Sequence, residues 1–278
     1  MNSVNDSWRD QVQVFDRAMA ALRERREQDG HEQGRSSGFG YTDRPMNPHR
    51  TDDPALNCLS AVLGSGKEVL DVGGGAGRFA LPLATRAERV TVVDPSADSI
   101  DLLKERAADA GITNVTAINV QWEDANVPAA DLVLCSLVLH HVSEPASFVA
   151  RLQQHARNRV ALLEMVQTPG VVNNPFFERV HGKPLPPLPG LARLMDLLWA
   201  MDIYPDVEMI TPEPAVVGPD LDTALEQLRL RLAVREGTDE DERLRAAADE
   251  LLEETADGIT VRRVDRLRPA VVTWRPNG

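Results

Sequence analysis

The run from Asp71 to Gly77 sets a carboxylate at the end of an apolar stretch and follows it with three alternate glycines, Gly73, Gly75 and Gly77. Glycine tolerates the tight turn and lets backbone pass close to a nucleotide-like ligand. Asp94 ends a second apolar run seventeen residues beyond Gly77, about where an acidic residue reaches a ribose diol. Further along come Gln121-Trp122-Glu123-Asp124, the pair His140-His141, and Glu164 at the end of another apolar run. Histidine is the side chain suited to removing a proton near neutral pH.

The glycine spacing separates two cofactor classes. A nicotinamide or flavin site wants G-x-G-x-x-G. Counted from Gly73 or Gly75, the third glycine position holds Arg78 or Ala80, so a nicotinamide oxidoreductase would have to tolerate a side chain there. The pattern present is D-x-G-x-G-x-G. It resembles the first motif of class I S-adenosylmethionine (SAM)-dependent methyltransferases. The stretch Ala130 to Val142, ADLVLCSLVLHHV, is similar to the fourth-strand motif of their small-molecule branch. It lacks the Asn/Asp-Pro-Pro-aromatic motif of exocyclic-amine nucleic-acid methylases, and no Pro-Cys pair for C5-pyrimidine methylation occurs. The likeness covers residues 66–165.

The resemblance implies SAM as cofactor and S-adenosyl-L-homocysteine (SAH) as product. It implies that Asp71 holds the methionine ammonium, directly or through water; the competing reading is a carboxylate capping a turn. Asp94 would accept two hydrogen bonds from the ribose hydroxyls, or else cap the next helix before Pro95 and Ser96, with Pro95 edging the adenine. Glu123 would take the adenine amino group and the backbone of Asp124 a ring nitrogen. The family often carries Asp at the Glu123 position, so the role can slip to Asp124, and a solvated acidic loop is the alternative. Trp122 covers the adenine or belongs to the core. The backbone around Cys135 would line the methionine tail, while the Cys135 thiol reads as a small buried group.

Methyl transfer needs alignment of acceptor and methyl above all. His140 and His141 follow the fourth strand, where one can act as base and the other pack or cap. Glu164 faces the edge where ligands bind in open α/β sheets, or forms a structural ion pair. His181 is a weaker base candidate, and Tyr41 is placed to close over the site. The function expected is methyl transfer from SAM to an O or N atom of a small, partly apolar organic acceptor. The alternative is a SAM- or SAH-binding subunit or regulator without transfer activity. Phe176, Phe177, Leu185, Leu188, Leu191 and Trp199 are candidates for an acceptor-pocket wall or for cap packing.

The bulk numbers narrow the classes. The chain has 278 residues and 42% hydrophobic residues, enough for one large α/β domain with additions. Its net charge of −13 and 4% aromatic content disfavour duplex nucleic acid and base-stacking platforms, although Arg262, Arg263, Arg266 and Arg268 could form a local basic patch. Two cysteines, Cys58 and Cys135, exclude a disulfide framework and a CxxC zinc site, so no metal is expected. No apolar run is long enough for a membrane span, and the polar N-terminus lacks a signal region. The reading is a cytoplasmic protein, monomer or homodimer, acting on a small molecule.

Hydrophobic periodicity supplies the scaffold. Trp8, Val12, Phe15, Met19 and Leu22 mark a helix over 7–28, and 30–48 reads as a loop. Asp52 or Asp53 caps a helix begun by Pro54. Strands at 69–72, 90–93, 115–120, 131–135 and 159–164 alternate with helices at 77–86, 96–110 and 144–155, as in right-handed crossovers of a parallel sheet. Residues 168–190 read as extended because of their prolines. A helix at 191–201, a strand at 207–217, helices at 221–235 and 240–255, and strands at 259–264 and 270–274 follow. The fold expected is α/β: a class I methyltransferase (Rossmann-like) seven-stranded sheet with helices on both faces, a helical N-terminal lid and an inserted C-terminal cap. Its segments are an N-terminal helix and lid loop at 1–50, a SAM-binding core at 51–167, a cap with one core strand and two helices at 168–258, and closing strands of the core sheet at 259–278.

Overall fold

The computed structural model describes residues 2–28, 47–212, 216–262 and 267–276. Tyr41, Arg263 and Arg266 lie outside them. Helix α1 (Asn2–Gln28) precedes α2 (Pro54–Leu63). Then come β1 (Glu68–Val72), α3 (Ala80–Ala84), β2 (Arg89–Asp94), α4 (Ala97–Asp109), β3 (Val115–Asn119), β4 (Ala130–Ser136), α5 (Pro145–His155) and β5 (Ala156–Met165). Beyond these lie α6 (Asn174–His181), α7 (Leu191–Ala200), β6 (Asp206–Met209), β7 (Val216–Gly218), α8 (Leu221–Leu232), α9 (Asp239–Leu251), β8 (Leu252–Thr255), β9 (Gly258–Val261) and β10 (Pro269–Trp274).

Seven strands form one sheet in the order β3-β2-β1-β4-β5-β10-β6. β1 to β5 pair in parallel, and β10 runs antiparallel to both its neighbours. The order reverses between β1 and β4. In an open α/β sheet that crevice, outside the carboxyl ends of the strands, is where ligands bind. Both faces are covered, which explains the nearly continuous apolar strands. α2, α3 and α4 pack on one face around Leu59, Leu83 and Leu103. α1, α5 and the cap helices pack on the other around Trp8, Val149, Phe176 and Leu228.

The helix starts are chemical. Asp53 caps α2 by accepting from the Leu56 N–H at 3.1 Å, with Pro54 in the first turn. Ser96, Asp220 and Thr238 cap α4, α8 and α9. Each cap satisfies an N–H that the helix leaves unpaired.

The second half departs from the sequence reading in four places. Residues 168–190 are not all extended, because Pro169 and Pro175 open a short 3-10 turn and α6 instead of breaking a helix. The strand expected over 207–217 divides into β6, the edge of the main sheet, and β7, part of a separate sheet ordered β7-β9-β8. The last cap helix stops at Leu251, and the chain turns back as the hairpin β8–β9, with Thr255 opposite Gly258. Gly258 has φ +119°, and a Cβ there would lie 2.8 Å from the Gly218 carbonyl oxygen. Local hairpin pairing therefore claims Ile259, and of the two closing strands only β10 joins the main sheet.

Candidate functional site

Asp71 sits at the carboxyl end of β1 with 1% exposure. Its Oδ1 is buried and has no hydrogen-bond partner among the described residues. Burial, reinforced by Asp94 nearby, pushes its pKa up to about 7. Buried polar groups are nearly always paired, so an orphaned carboxylate oxygen at a crevice calls for a ligand that can donate to it.

The glycine turn is built around this carboxylate. Gly73, Gly75 and Gly77 have φ of +70°, +54° and +86°, the left-handed region that side chains resist. A Cβ on Gly73 would meet Val138 Cγ2 at 2.4 Å, and one on Gly77 would meet Leu103 at 2.4 Å. Above Gly75 there is room: among the described residues, chain neighbours apart, the only atom within 4 Å of such a Cβ is Asp94 Oδ2, at 3.9 Å. Gly74, which the alternate-glycine pattern passes over, is equally constrained. A Cβ there would lie 2.7 Å from the Asp71 carboxyl carbon.

Asp94, at the end of β2, accepts from the Gly75 N–H at 2.9 Å and from the Ser96 N–H at 2.8 Å. It thus fixes the turn while each oxygen keeps acceptor capacity. Pro95 is exposed beside it. Glu123 and Asp124 are exposed on the 3-10 turn after β3. Trp122, on the same turn, goes to the core: its ring lies 6.3 Å from Phe148 and 5.0 Å from His155, with the Arg151 guanidinium over it at 4.9 Å. That packing fits the core reading of Trp122, while its buried Nε1 has no hydrogen-bond partner among the described residues. Cys135 is buried in β4, and burial, then Asp71, then Glu164 raise its thiol well above the usual value. In the sheet Cys135 pairs with Val72 of β1 on one side and Leu162 of β5 on the other, so the strands carrying Asp71 and Glu164 flank it.

After β4 the chain bends at Leu137, whose φ of +56° is unusual for a bulky residue, while its N–H donates to the Leu163 carbonyl at 2.9 Å. Such strain concentrates at functional sites. The following turn, Leu139–His141, presents the two histidines. His140, 2% exposed, sets Nδ1 3.0 Å from each oxygen of Glu164, itself 1% exposed. Glu164 Oε1 also accepts from the Met165 N–H at 2.9 Å. His141 is exposed at the rim, its ring 4.5 Å from His140 and 6.0 Å from Phe15 of α1. The protein mass around that ring, then His140, lower its pKa to about 4, so it is neutral at physiological pH.

Two straps hold this region, and neither is legible in spacing. Arg50 donates to the Arg78 carbonyl at 2.8 Å and to Asp53 at 3.1 Å, tying the start of α2 to the glycine turn. α1 clamps the segment after the histidines: Trp8 Nε1 donates to the Val142 carbonyl at 3.0 Å, and Arg9 grips Glu144 at 2.6 and 2.8 Å. His181 lies elsewhere, on α6, with Nε2 2.9 Å from the Leu232 carbonyl, a tie between cap helices. Of the proposed pocket wall, Phe176, Phe177, Leu185 and Leu188 are buried in the core, while Trp199 is half exposed on the outside and does not line a pocket. Arg262 donates to the Leu252 carbonyl, closing the small sheet.

Residues 69–159 match a family model described as a methyltransferase domain. On that match this stretch is a methyltransferase domain. A putative methyltransferase from Bacillus halodurans has the same fold, with TM-score 0.55 and 16% identity over 81% of this chain and 98% of that one. A ubiquinone biosynthesis O-methyltransferase of Serratia proteamaculans is 35% identical over 106 residues, 36% of this chain and 44% of the relative. A tRNA 5-carboxymethoxyuridine methyltransferase of Escherichia coli is 32% identical over 133 residues, 46% of each. The chain spans less than half the length of the curated relatives it matches. SAM is the cofactor of this domain class, and the residues present fit it: an orphaned carboxylate oxygen beneath a glycine turn with open space at Gly75. Among the described residues no group of ligating side chains is arranged to hold a metal ion, and no helix is long and apolar enough to cross a membrane.

Proposed function

We propose that the protein transfers a methyl group from SAM to an oxygen or nitrogen of a small, partly apolar acceptor. The observation that carries this reading is the unpartnered Oδ1 of Asp71. Its natural complement is a cationic donor, and SAM brings both an ammonium and a sulfonium. Asp71, Asp94 and Glu164 end β1, β2 and β5 as buried carboxylates, and opposite charge is what such groups favour. In this reading Asp71 takes the ammonium, Asp94 the ribose diol, Glu123 or Asp124 the adenine amino group, and the strand end at Cys135 lines the methionine tail. The bound cofactor supplies an electrophilic methyl group; the chain supplies alignment and exclusion of water.

A small acceptor is favoured over RNA by the net charge of −13, which repels phosphate. The reading is of a cytoplasmic enzyme, monomer or homodimer. The test is incubation with methyl-labelled SAM and, in parallel, the small-molecule fraction and the RNA fraction of a cell extract. Label entering the small-molecule fraction is expected. Label entering RNA contradicts the acceptor class, and SAM binding with no SAH formed from either fraction contradicts transfer.

A further inference from the structure

Resting on that reading, the geometry points to Asn173 and Gln11 as acceptor-binding residues, and to an acceptor that carries at least two hydrogen-bond donors, hydroxyl or N–H. Asn173 is 5% exposed, and its Oδ1 is buried with no hydrogen-bond partner among the described residues. Gln11 Oε1, on α1, is buried and unpartnered in the same way. Leaving such an oxygen bare inside a fold is costly, so each instance calls for an explanation.

Asn173 has a local use that it does not take. It stands at the N-cap of α6, where asparagine normally accepts from the first N–H groups of the helix. No side-chain cap bond forms here, and the backbone, at φ −86° and ψ −18°, lacks the extended shape that such a cap needs. That backbone is itself satisfied: its N–H donates to the Gly170 carbonyl at 3.1 Å, and its carbonyl accepts from the Phe177 N–H at 2.9 Å. Asn174 ties the segment together instead, accepting from the Leu185 N–H at 2.6 Å. The Asn173 carboxamide is left with an oxygen that its own helix does not use.

Both oxygens belong to segments that stand on the ligand edge of the sheet. β5 ends at Met165, and the segment 166–190, which contains α6, returns to that end. A Cβ on Gly190 would lie 2.5 Å from the Val166 carbonyl oxygen and 3.2 Å from that of Met165. Within the segment Val172, next to Asn173, belongs to the same apolar cluster as Val72 of β1 and Cys135 of β4. Gln11 comes three residues after Trp8 and four before Phe15, so the three share one face of α1. Trp8 donates to the Val142 carbonyl, and the Phe15 ring lies 6.0 Å from that of His141. That face therefore covers the segment leaving β4. β4 and β5 are paired neighbours. Two segments distant in sequence thus bring unpaired acceptors to the carboxyl ends of adjacent strands, the edge where ligands bind in such sheets.

The acceptor class follows from the chemistry of these atoms. An amide oxygen only accepts, so it selects a donor and repels a carboxylate or phosphate. Two of them on separate segments need two donors. The reacting group supplies one, and at least one O–H or N–H remains on the methylated product.

The test compares wild type with Asn173→Leu and Gln11→Met, which keep the side-chain size and remove the oxygen. In the ligand-free chain neither atom is missed, so both variants are expected to melt at or above the wild-type temperature, with calorimetric SAH affinity unchanged. Methyl-labelled SAM is then supplied with a dilution series of the small-molecule fraction of a cell extract. The half-saturating amount of that fraction is expected to rise about 10-fold in each variant, with the saturating rate changed less. Mass spectrometry of the labelled product in D2O is expected to count at least one exchangeable hydrogen. A melting temperature lowered by several degrees in Asn173→Leu shows that the oxygen is used inside the fold and overturns the inference. So does an unmoved half-saturation point in either variant, an SAH affinity that falls with it, or a product with no exchangeable hydrogen. A wild-type chain that labels nothing sinks the transfer reading instead; the melts then decide alone whether Asn173 is an open acceptor.

Discussion

Asp71 in the sheet and Asp241 in the cap are equally buried, at 1% and 2% exposure, yet their environments push them in opposite directions. Asp71 is carried up to about 7 by burial and by Asp94. Burial would raise Asp241 too, but the Arg229 hydrogen bonds, the Gly237 N–H and Arg245 outweigh it and bring the carboxyl down to about 2. One region saturates its buried charge internally; the other leaves an oxygen open. A buried carboxylate completed by its own chain is a structural element. One left incomplete at a sheet's carboxyl edge marks where a ligand belongs.

The largest effect separating the two is the pH dependence of stability. The pKa of Asp71 is raised on folding, so its contribution is complete below about pH 4, the ordinary carboxylate value, and is lost as pH rises through about 7. Asp71→Asn in the ligand-free chain is therefore expected to match wild type near pH 4. Above pH 7 it gains on wild type, by roughly 4 kcal/mol at most, read from denaturant melts. Equal stabilities at pH 8 would remove the contrast. Asp241→Ala goes the other way. Breaking a buried pair leaves arginines without their anion and costs about 3 kcal/mol, with Arg229 only 15% exposed and Arg245 half exposed. A loss near zero in the same melts would make the cap network dispensable.

The division between legible and illegible follows the same line. β1 to β5 and their glycine turn could be read because a sheet covered on both faces needs continuous apolar runs, and left-handed backbone needs glycine. The candidate residues at strand ends stand out in the sequence because Asp71, Asp94 and Glu164 interrupt those runs. The cap was harder. Pro175 reads as a breaker but starts α6, since a helix's first turn needs no N–H from it. Leu252 continues the leucine spacing of α9 yet turns into β8, because Asp257-Gly258 closes a hairpin there. Trp122 and Trp199 look alike as aromatic candidates, and only packing sends one to the core and the other to the surface. Arg50 carries no pattern at all; its role is set by a carbonyl that the fold brings to it.

Smaller effects sharpen the contrast. Gly74→Ala forces a methyl to within 2.7 Å of the Asp71 carboxyl carbon and 2.9 Å of Val92. It is expected to cost about 1–3 kcal/mol in thermal melts and to weaken SAH binding as well; an unaltered affinity would mean that the Asp71 position is not set by the turn. Arg9→Ala, at an exposed ion pair with Glu144, is the smallest change. Melting temperature should stay within error, because surface pairs add little, and a large drop would show α1 to be held by more than packing of Trp8 and Val12.

The most direct measurement is calorimetric titration of SAH into wild type and Asp71→Asn at pH 6, 7 and 8. Charged hydrogen bonds of this kind contribute about 1.5–3 kcal/mol. Wild-type affinity is expected to rise with pH through about 7, with the variant weaker by about 10- to 100-fold at pH 8 and nearly flat across the series. An Asp71→Asn chain that binds SAH as tightly as wild type at pH 8 would contradict the assignment of that carboxylate to the cofactor.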